Sequence, residues 1–229
     1  MKKYIPLHVH SMYSLLDGLS KPEQIADRCE EIEVKSCALT DHGNIAGAIK
    51  FYTAMKKKGI KPILGCELYI SDGDATVKEK ENRSLTHFLV LAKNYEGWKN
   101  LVRVVSESNK PEHYYFKPRL DLKKLGEMID GNMIGICGHL GSTLADKLVD
   151  NDTIISDWKK VGKNCINQYK DIFGKENFFL ESQLMDKENL EIQSHLTDCI
   201  RELAHLTDTK TICTPDAHYC RKSDAVDQR

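Results

Sequence analysis

Short runs of β-branched and aliphatic residues alternate, along the whole chain, with stretches whose apolar positions recur every three or four residues. That alternation predicts β/α construction, because each strand needs a helix to cover its face. Seven strands are predicted, at residues 4–10, 36–40, 62–70, 87–92, 133–137, 177–181 and 211–214. The run Ser20-Lys21-Pro22-Glu23 announces the first helix, with the serine as cap, proline in the first turn and Glu23 reaching back. Ile25, Ala26, Cys29 and Ile32 form its apolar face. A second helix over 45–58 carries Ile49, Tyr52 and Met55 and stops at Gly59, and a third over 95–107 turns Trp98, Leu101, Val102 and Val105 inward. Helices at 122–129, 153–173 and 187–207 complete the pattern. Residues 71–84 and 109–119 read as loops, the second combining two prolines with Tyr114, Tyr115 and Phe116. With no internal repeat and no shift in composition, one α/β domain is expected.

Charge narrows the class. Across 229 residues, 33 Lys+Arg face 34 Asp+Glu, a formal net charge of −1, so the chain is neither a disordered acidic tail nor a basic coat for nucleic acid. Any nucleic acid is held by local chemistry or by another domain. No apolar stretch approaches the roughly 18 residues of a membrane span, and His8 stands where a signal peptide needs an apolar run. A soluble, cytoplasmic protein is expected. The 8 cysteines include no C-x-x-C pair, which argues against a zinc knuckle or redox dithiol and for small buried hydrophobes.

The histidines carry the stronger signal. Side chains two apart on a strand share a face, so His8 and His10 can present two imidazoles to one metal, although a lone H-x-H is weak by itself. Asp17 follows in a turn-like segment. Asp41 and His42 end the second predicted strand, where barrel-like folds collect active-site groups. Glu67 lies inside an apolar run, where an unpaired carboxylate is costly and calls for a compensating charge. His87 starts its strand instead of ending it, so its presence at the same site requires that strand to run antiparallel or to enter from the site side. His139 follows the fifth strand, and Asp216 and His218 follow the last. Each has an ordinary structural explanation alone. Together, six imidazoles and three carboxylates fall at the ends of six of the seven predicted strands.

The set HVH at His8 and His10, TDHGN around His42, GCELYI around Glu67, HFLVLAKN from His87, GHLGS around His139 and TPDAHY around Asp216 resembles a PHP (polymerase and histidinol phosphatase) domain. The stretch from Tyr114 to Asp121 and the closing Asp224 to Arg229 are most similar to the N-terminal PHP domain of bacterial and phage DNA polymerase III alpha subunits. The resemblance implies a single PHP domain over 1–229, folded as a distorted seven-stranded (β/α) TIM-like barrel with up to three divalent metal ions, Zn, Mn or Fe, at its carboxyl face. It also implies their ligands. His8, His10, Glu67 and Asp216 would hold the first metal, Glu67 would bridge to a second held by His87 and His139, and Asp17, His42 and His218 would hold the third. Many polymerase domains of this kind have cysteine where this chain has His139, an exchange that hardens the site slightly toward Mn²⁺ or Fe²⁺.

Nitrogen and carboxylate ligands without a nucleophilic Ser or Cys favour metal-assisted hydrolysis. The expectation is a phosphoesterase, a 3′→5′ exonuclease on a DNA primer end, with Asp216, His10, Glu67 and Arg119 carrying the reaction. The alternatives are an inactive, metal-stabilised structural module of a polymerase and a stand-alone histidinol-phosphatase-like enzyme. Arg119 either binds a phosphate or pairs with Asp121 or Glu67. Asp41 either orients His42 or its neighbours, or caps a helix, and Glu181 is a further candidate behind the ligands. His113, His195 and His205 read as surface or packing residues, and Lys56, Lys57 and Lys58 as a solvated helix end. The expected partners are DNA and the remaining polymerase domains, in cis or as a separate chain, and no membrane; the chain reads as an excised domain or one piece of a split enzyme.

Overall fold

The aliphatic runs pair into one six-stranded sheet in a computed structural model that describes residues 4–183 and 190–228. In chain order the strands are β1 (Ser36–Leu39), β2 (Lys61–Ile70), β3 (Thr86–Ala92), β4 (Tyr114–Tyr115), β5 (Lys117–Pro118), β6 (Met133–Cys137), β7 (Val149–Asp150), β8 (Thr153–Ile154), β9 (Phe178–Gln183) and β10 (Thr211–Thr214). The large sheet has the order β1-β2-β3-β6-β9-β10, while β4–β5 and β7–β8 form two small hairpins outside it. The helices are α1 (Pro22–Glu31), α2 (Ala48–Lys57), α3 (Tyr95–Ser108), α4 (Leu122–Met128), α5 (Thr143–Leu148), α6 (Trp158–Phe173) and α7 (Glu191–Leu206). None of them is long and apolar enough to cross a membrane.

Neighbours in the sheet are parallel except β3, which runs antiparallel to both β2 and β6. The first residues of β3 therefore lie at the rim where the parallel strands end, the arrangement that the position of His87 requires.

The sheet has six strands where seven are expected. Residues 4–10 form no ladder and make one isolated bridge, Val9 with Ala217. Pro6 has no N–H to give, and the Val9 N–H donates to the Thr40 hydroxyl at 3.0 Å instead of to a neighbouring strand. The segment nevertheless touches both edges of the curled sheet. On the β1 side Ala38 and Thr40 donate to the Pro6 and Val9 carbonyls, and on the other side His10 donates to Ala217 and Ala217 to His8.

Period-two alternation sorts the side chains. Cys66, Leu68, Ile70, Phe88 and Val90 pack into the core shared with α3 to α7, whereas Leu89, Leu91, Ile136 and Ala38 form a separate cluster on the opposite face. Glu67 is in register with Leu89, and Tyr69 with His87, which places the chemistry on that second face.

Several local expectations are corrected. Lys21, not Ser20, is the residue before α1, and the reciprocal bond comes from Gln24, whose side-chain oxygen accepts the Lys21 N–H at 2.8 Å. In α2 the inward face is Ala48, Phe51 and Met55; Ile49 and Tyr52 are exposed, so the face is rotated from the expected one. Ile32 is exposed as well. Helix α5, capped by the Ser142 side chain on the Ala145 N–H, has no counterpart among the expected elements because its six residues span less than two turns. Residues 153–157, expected to be helical, form β8 and a turn. The expected start of α7 at Lys187 lies outside the described residues. Five of the eight cysteines are buried; Cys165 and Cys220 are half-buried and Cys213 is exposed.

Candidate metal centre

Glu67 is the centre of the cluster. Its carboxylate is almost wholly buried and meets five imidazoles. Oε2 lies 3.3 Å from His8 Nε2, 3.2 Å from His10 Nε2 and 2.9 Å from His42 Nδ1, and Oε1 lies 3.2 Å from His87 Nδ1 and 3.0 Å from His139 Nε2. Asp216 Oδ1 is 3.3 Å from His8 Nε2 and 3.4 Å from His10 Nε2. Asp17 Oδ2 sits between His42 Nε2 at 2.8 Å and His218 Nε2 at 3.1 Å. All six expected imidazoles and all three carboxylates are thus brought together. Within the cluster four triads have ligand atoms within 4.8 Å of one another: His8, His10 and Asp216; His8, Glu67 and His139; His42, Glu67 and His87; and His10, His42 and His218; a fifth, Glu107, Glu112 and His113, lies apart from it. His42 therefore sits between the Glu67 group and the Asp17 group and is not confined to the latter.

The loop carrying Asp17 closes tightly. A Cβ at Gly18 would lie 2.1 Å from the Ser11 carbonyl oxygen, so only glycine allows this turn. The following Leu19 N–H donates to the carbonyl of His218, tying the loop to the opposite side of the cluster.

Supporting residues fix which ring nitrogen faces inward. Glu181 is fully buried and accepts from His8 Nδ1 at 2.7 Å on one oxygen and from His139 Nδ1 at 2.8 Å on the other, while the Thr214 hydroxyl also donates to it. Ser14 donates to Asp41 Oδ1, so its oxygen is free to accept from His10 Nδ1 at 2.9 Å. Asp41 also accepts from the Ser11 N–H and hydroxyl. It orients His10 through Ser14 and caps no helix; α2 begins after Gly47. The pattern is that of a carboxylate behind a metal-ligating histidine, which sets the tautomer and leaves the other nitrogen's lone pair free.

This arrangement supplies a test of fit for a cation. His8 Nε2, His10 Nε2, His42 Nδ1, His139 Nε2 and Asp216 Oδ1 are buried and make no hydrogen bond, although carboxylate or imidazole atoms stand within 2.9–3.4 Å. Lone pair facing lone pair in a desolvated site is costly unless a proton or a cation lies between. Donors that are imidazoles and carboxylates, with no thiolate, suit Zn, Mn or Fe. The residues fit a bound metal.

Without metal, protons take that place. Burial lowers the pKa of His139, but hydrogen bonds to Glu181 and Glu67 outweigh it and hold the imidazole up to about 9. Burial likewise opposes protonation of His8, and the charges of Glu181, Glu67 and Asp216 raise it well above the ordinary imidazole value. Burial would raise Glu67, but the charge of His8 and the hydrogen bonds from His10, His139 and His42 pull it well below the usual carboxylate range. His218 is lowered by burial and by His10.

Arg119 does neither of the things expected of it. It is fully buried, and its Nε, Nη1 and Nη2 donate to the carbonyls of Ala75, Asn82 and Val77 at 3.0, 2.5 and 2.6 Å. Its guanidinium lies over the Tyr115 ring, 5.0 Å from the centroid. It pairs with neither Glu67 nor Asp121; the latter caps α4 through the Lys124 N–H. Arg119 is removed from the reacting groups because its fork is spent on the 75–82 loop. Arg119→Ala strands three carbonyls and is expected to cost about 3 kcal/mol, a fall in Tm of roughly 6–12 °C. Bound metal, counted by elemental analysis, should not change.

His113 is buried with Nδ1 on the Glu107 carbonyl, and His195 and His205 are exposed on α7, all outside the cluster. Lys56 and Lys57 are exposed, whereas Lys58 pairs with Asp27 and Glu30 of α1. The sequence reading omits Ser14 and Thr214. Nothing in their spacing marks them, whereas Glu181, like Glu67, announces itself as an acid at the end of an apolar run.

A model of the PHP domain family matches residues 6–184. DNA polymerase III subunit alpha of Helicobacter pylori (strain ATCC 700392 / 26695) is 35% identical over 230 residues, covering 99% of this chain and 18% of that protein. The subunit of the same name from Aquifex aeolicus (strain VF5) is 34% identical over 233 residues, covering 97% of this chain and 19% of that protein. The chain thus spans about a fifth of the length of these curated relatives. Among solved structures, an amidohydrolase from Chromobacterium violaceum with bound sulfate has a TM-score of 0.61 at 15% identity, covering 94% of this chain and 88% of that one. A two-domain protein from Bacteroides vulgatus, containing a predicted PHP-like metal-dependent phosphoesterase, has a TM-score of 0.57 at 13% identity, covering 96% and 53%. Both share the fold.

Proposed function

The chain belongs to the PHP domain family, and on that footing we propose that it is a metal-dependent phosphoesterase that removes nucleotides from the 3′ end of DNA as a proofreading exonuclease. The observation that carries this reading is the set of four buried, unpartnered imidazole nitrogens, with the equally unpartnered Asp216 Oδ1, gathered around Glu67. The choice of DNA is supported by the relatives, which are DNA polymerase III alpha subunits. Residues 1–229 are read as one PHP unit working beside the remaining polymerase domains.

In this reading His8, His10, Glu67 and Asp216 would hold one cation, Glu67, His87 and His139 a second, and Asp17, His42 and His218 a third. Bound there, divalent cations supply Lewis acidity toward phosphate oxygens and bring the pKa of a water from 15.7 toward about 7. The chain's own part is preorganisation. Glu181 and Ser14 hold the His8, His139 and His10 rings in place by their Nδ1 atoms, so no imidazole has to rotate to turn its Nε2 inward.

The test is incubation of the purified chain with Mn²⁺ or Zn²⁺ and a 5′-labelled single-stranded oligonucleotide. Stepwise shortening from the 3′ end, lost in Asp216→Ala, is the expected result. No cleavage with any metal, or unchanged cleavage in that variant, overturns the reading. Rapid turnover of a small phosphomonoester with no action on DNA would replace it with the phosphatase alternative.

A further inference from the structure

The β4–β5 hairpin stands at the rim of the cluster. An isolated parallel bridge between Ile70 and Leu120 ties its exit to the end of β2. Pro118 packs so closely on Gly43, beside His42, that a Cβ there would come within 2.9 Å of the Pro118 ring. Lys117 extends over the Tyr69 ring, Nζ to centroid 4.3 Å, and Tyr69 in turn lies 5.7 Å from the His42 ring and 5.2 Å from the His87 ring. Among the described residues Lys117 makes no salt bridge, and its ammonium rests on the Tyr69 ring instead.

Phe116 forms the hairpin's tip. It is 61% exposed and sits at φ 62°, the left-handed region that a bulky aromatic seldom adopts. Arg83 lies over its ring at 4.3 Å, and Tyr115 meets it edge-on at 4.7 Å. Tyr115 is itself braced by Arg119, so the tip is mounted on a fixed base.

An exposed aromatic ring carrying a guanidinium, followed immediately by an unpaired ammonium that points toward a phosphoesterase-like cluster, has the elements of a single-strand platform. Bases stack on such rings without regard to sequence, and the neighbouring cation meets the backbone. A paired duplex keeps its internal bases in the stack and offers this ring only the outer face of its terminal pair. We propose that the hairpin is the substrate-binding element, with Phe116 stacking a base of a single-stranded or frayed 3′ segment and Lys117 binding the adjacent phosphate as it enters the cluster. The proposal rests on the nuclease reading for its choice of DNA, yet it assigns residues that reading does not use.

Fluorescence anisotropy of the full 229-residue chain with a labelled single-stranded oligonucleotide, in chelator so that nothing is cleaved, reads the platform directly. Phe116→Leu and Phe116→Ala are expected to weaken binding about tenfold, with Phe116→Trp restoring it. Lys117→Gln should lower affinity and reduce the slope of log affinity against log salt by about 0.7, with Lys117→Arg restoring both. A blunt duplex should bind more weakly than the single strand. Wild-type affinity and salt slope in Phe116→Leu and Lys117→Gln, or no binding by the wild type, overturns the proposal. Should the affinities fall as described while no metal supports cleavage, the nuclease reading fails and the platform stands. Should cleavage proceed with the same substrate affinity in all variants, the platform alone fails.

Discussion

Glu67→Gln is expected to abolish phosphoester hydrolysis, by more than about 10³-fold, and to leave fewer equivalents of metal on the purified chain. The carboxylate faces five imidazoles through two oxygens, so on the inward side of the rings it joins the His8–His10 pair to the His87–His139 pair. An amide keeps the shape but removes the negative charge, and it turns one oxygen into an N–H donor beside imidazole lone pairs. Loss of Lewis-acid stabilisation worth several kcal/mol translates into a factor of this size, since each 1.36 kcal/mol is tenfold. Elemental analysis of the variant, alongside its melting curve, separates loss of metal from loss of fold. Full metal content with full activity would remove Glu67 from the centre of the site.

A second large effect concerns pH. Without metal, the folded chain is expected to become less stable as pH rises from 6.5 to 9. The His139 imidazole, about 9 in the folded chain against an ordinary 6.5, binds its proton more tightly folded than unfolded. Its contribution is therefore fully present below pH 6.5 and is lost as pH climbs through 9, a change of at most about 3 kcal/mol. His8 is raised as well and adds in the same direction. Metal reverses the trend. Cations displace those protons, so their affinity rises with pH and the gap in Tm between loaded and chelated protein widens over the same window. Glu181→Gln should flatten the metal-free slope, because that carboxylate supports both imidazoles. Metal-free stability that is level or rises between pH 6.5 and 9, or a constant gap, would count against this account.

Much of the site is legible from strand ends. His8, His10, His42, Glu67, His139, Asp216 and His218 are placed by the rule that side chains at the carboxyl ends of parallel strands converge, and His87 by the reversal of β3. The rule works because pairing and period-two alternation fix both the height and the face of each side chain. Arg119 fails for a physical reason. A guanidinium satisfies backbone carbonyls as readily as phosphate, and nothing in Lys117-Pro118-Arg119 says which it meets. The inward face of α2 is misread because Phe51 and Ile49 are both apolar and periodicity alone does not choose between them. The strand expected over residues 4–10 does not join the sheet, because Pro6 and the Thr40 hydroxyl divert the hydrogen bonds that would have made it a ladder partner.

That diverted segment sets the order in which the site can be assembled. His8 and His10 come from the beginning of the chain, yet their partners come from its far end, Glu181 at a separation of 173 residues and Asp216 and Ala217 farther still. Contacts of such sequence separation close slowly and late, after the local β/α units have formed. Metal uptake by His8, His10 and Asp216 is then expected to be the final event of folding. At the His8, His10 and Asp216 triad a cation has no complete site until the two ends meet, and one bound there would act as a clasp that resists their separation. Unfolding should accordingly begin at this seam, with amide exchange at residues 7–10 and 216–218 fast without metal and strongly slowed by it.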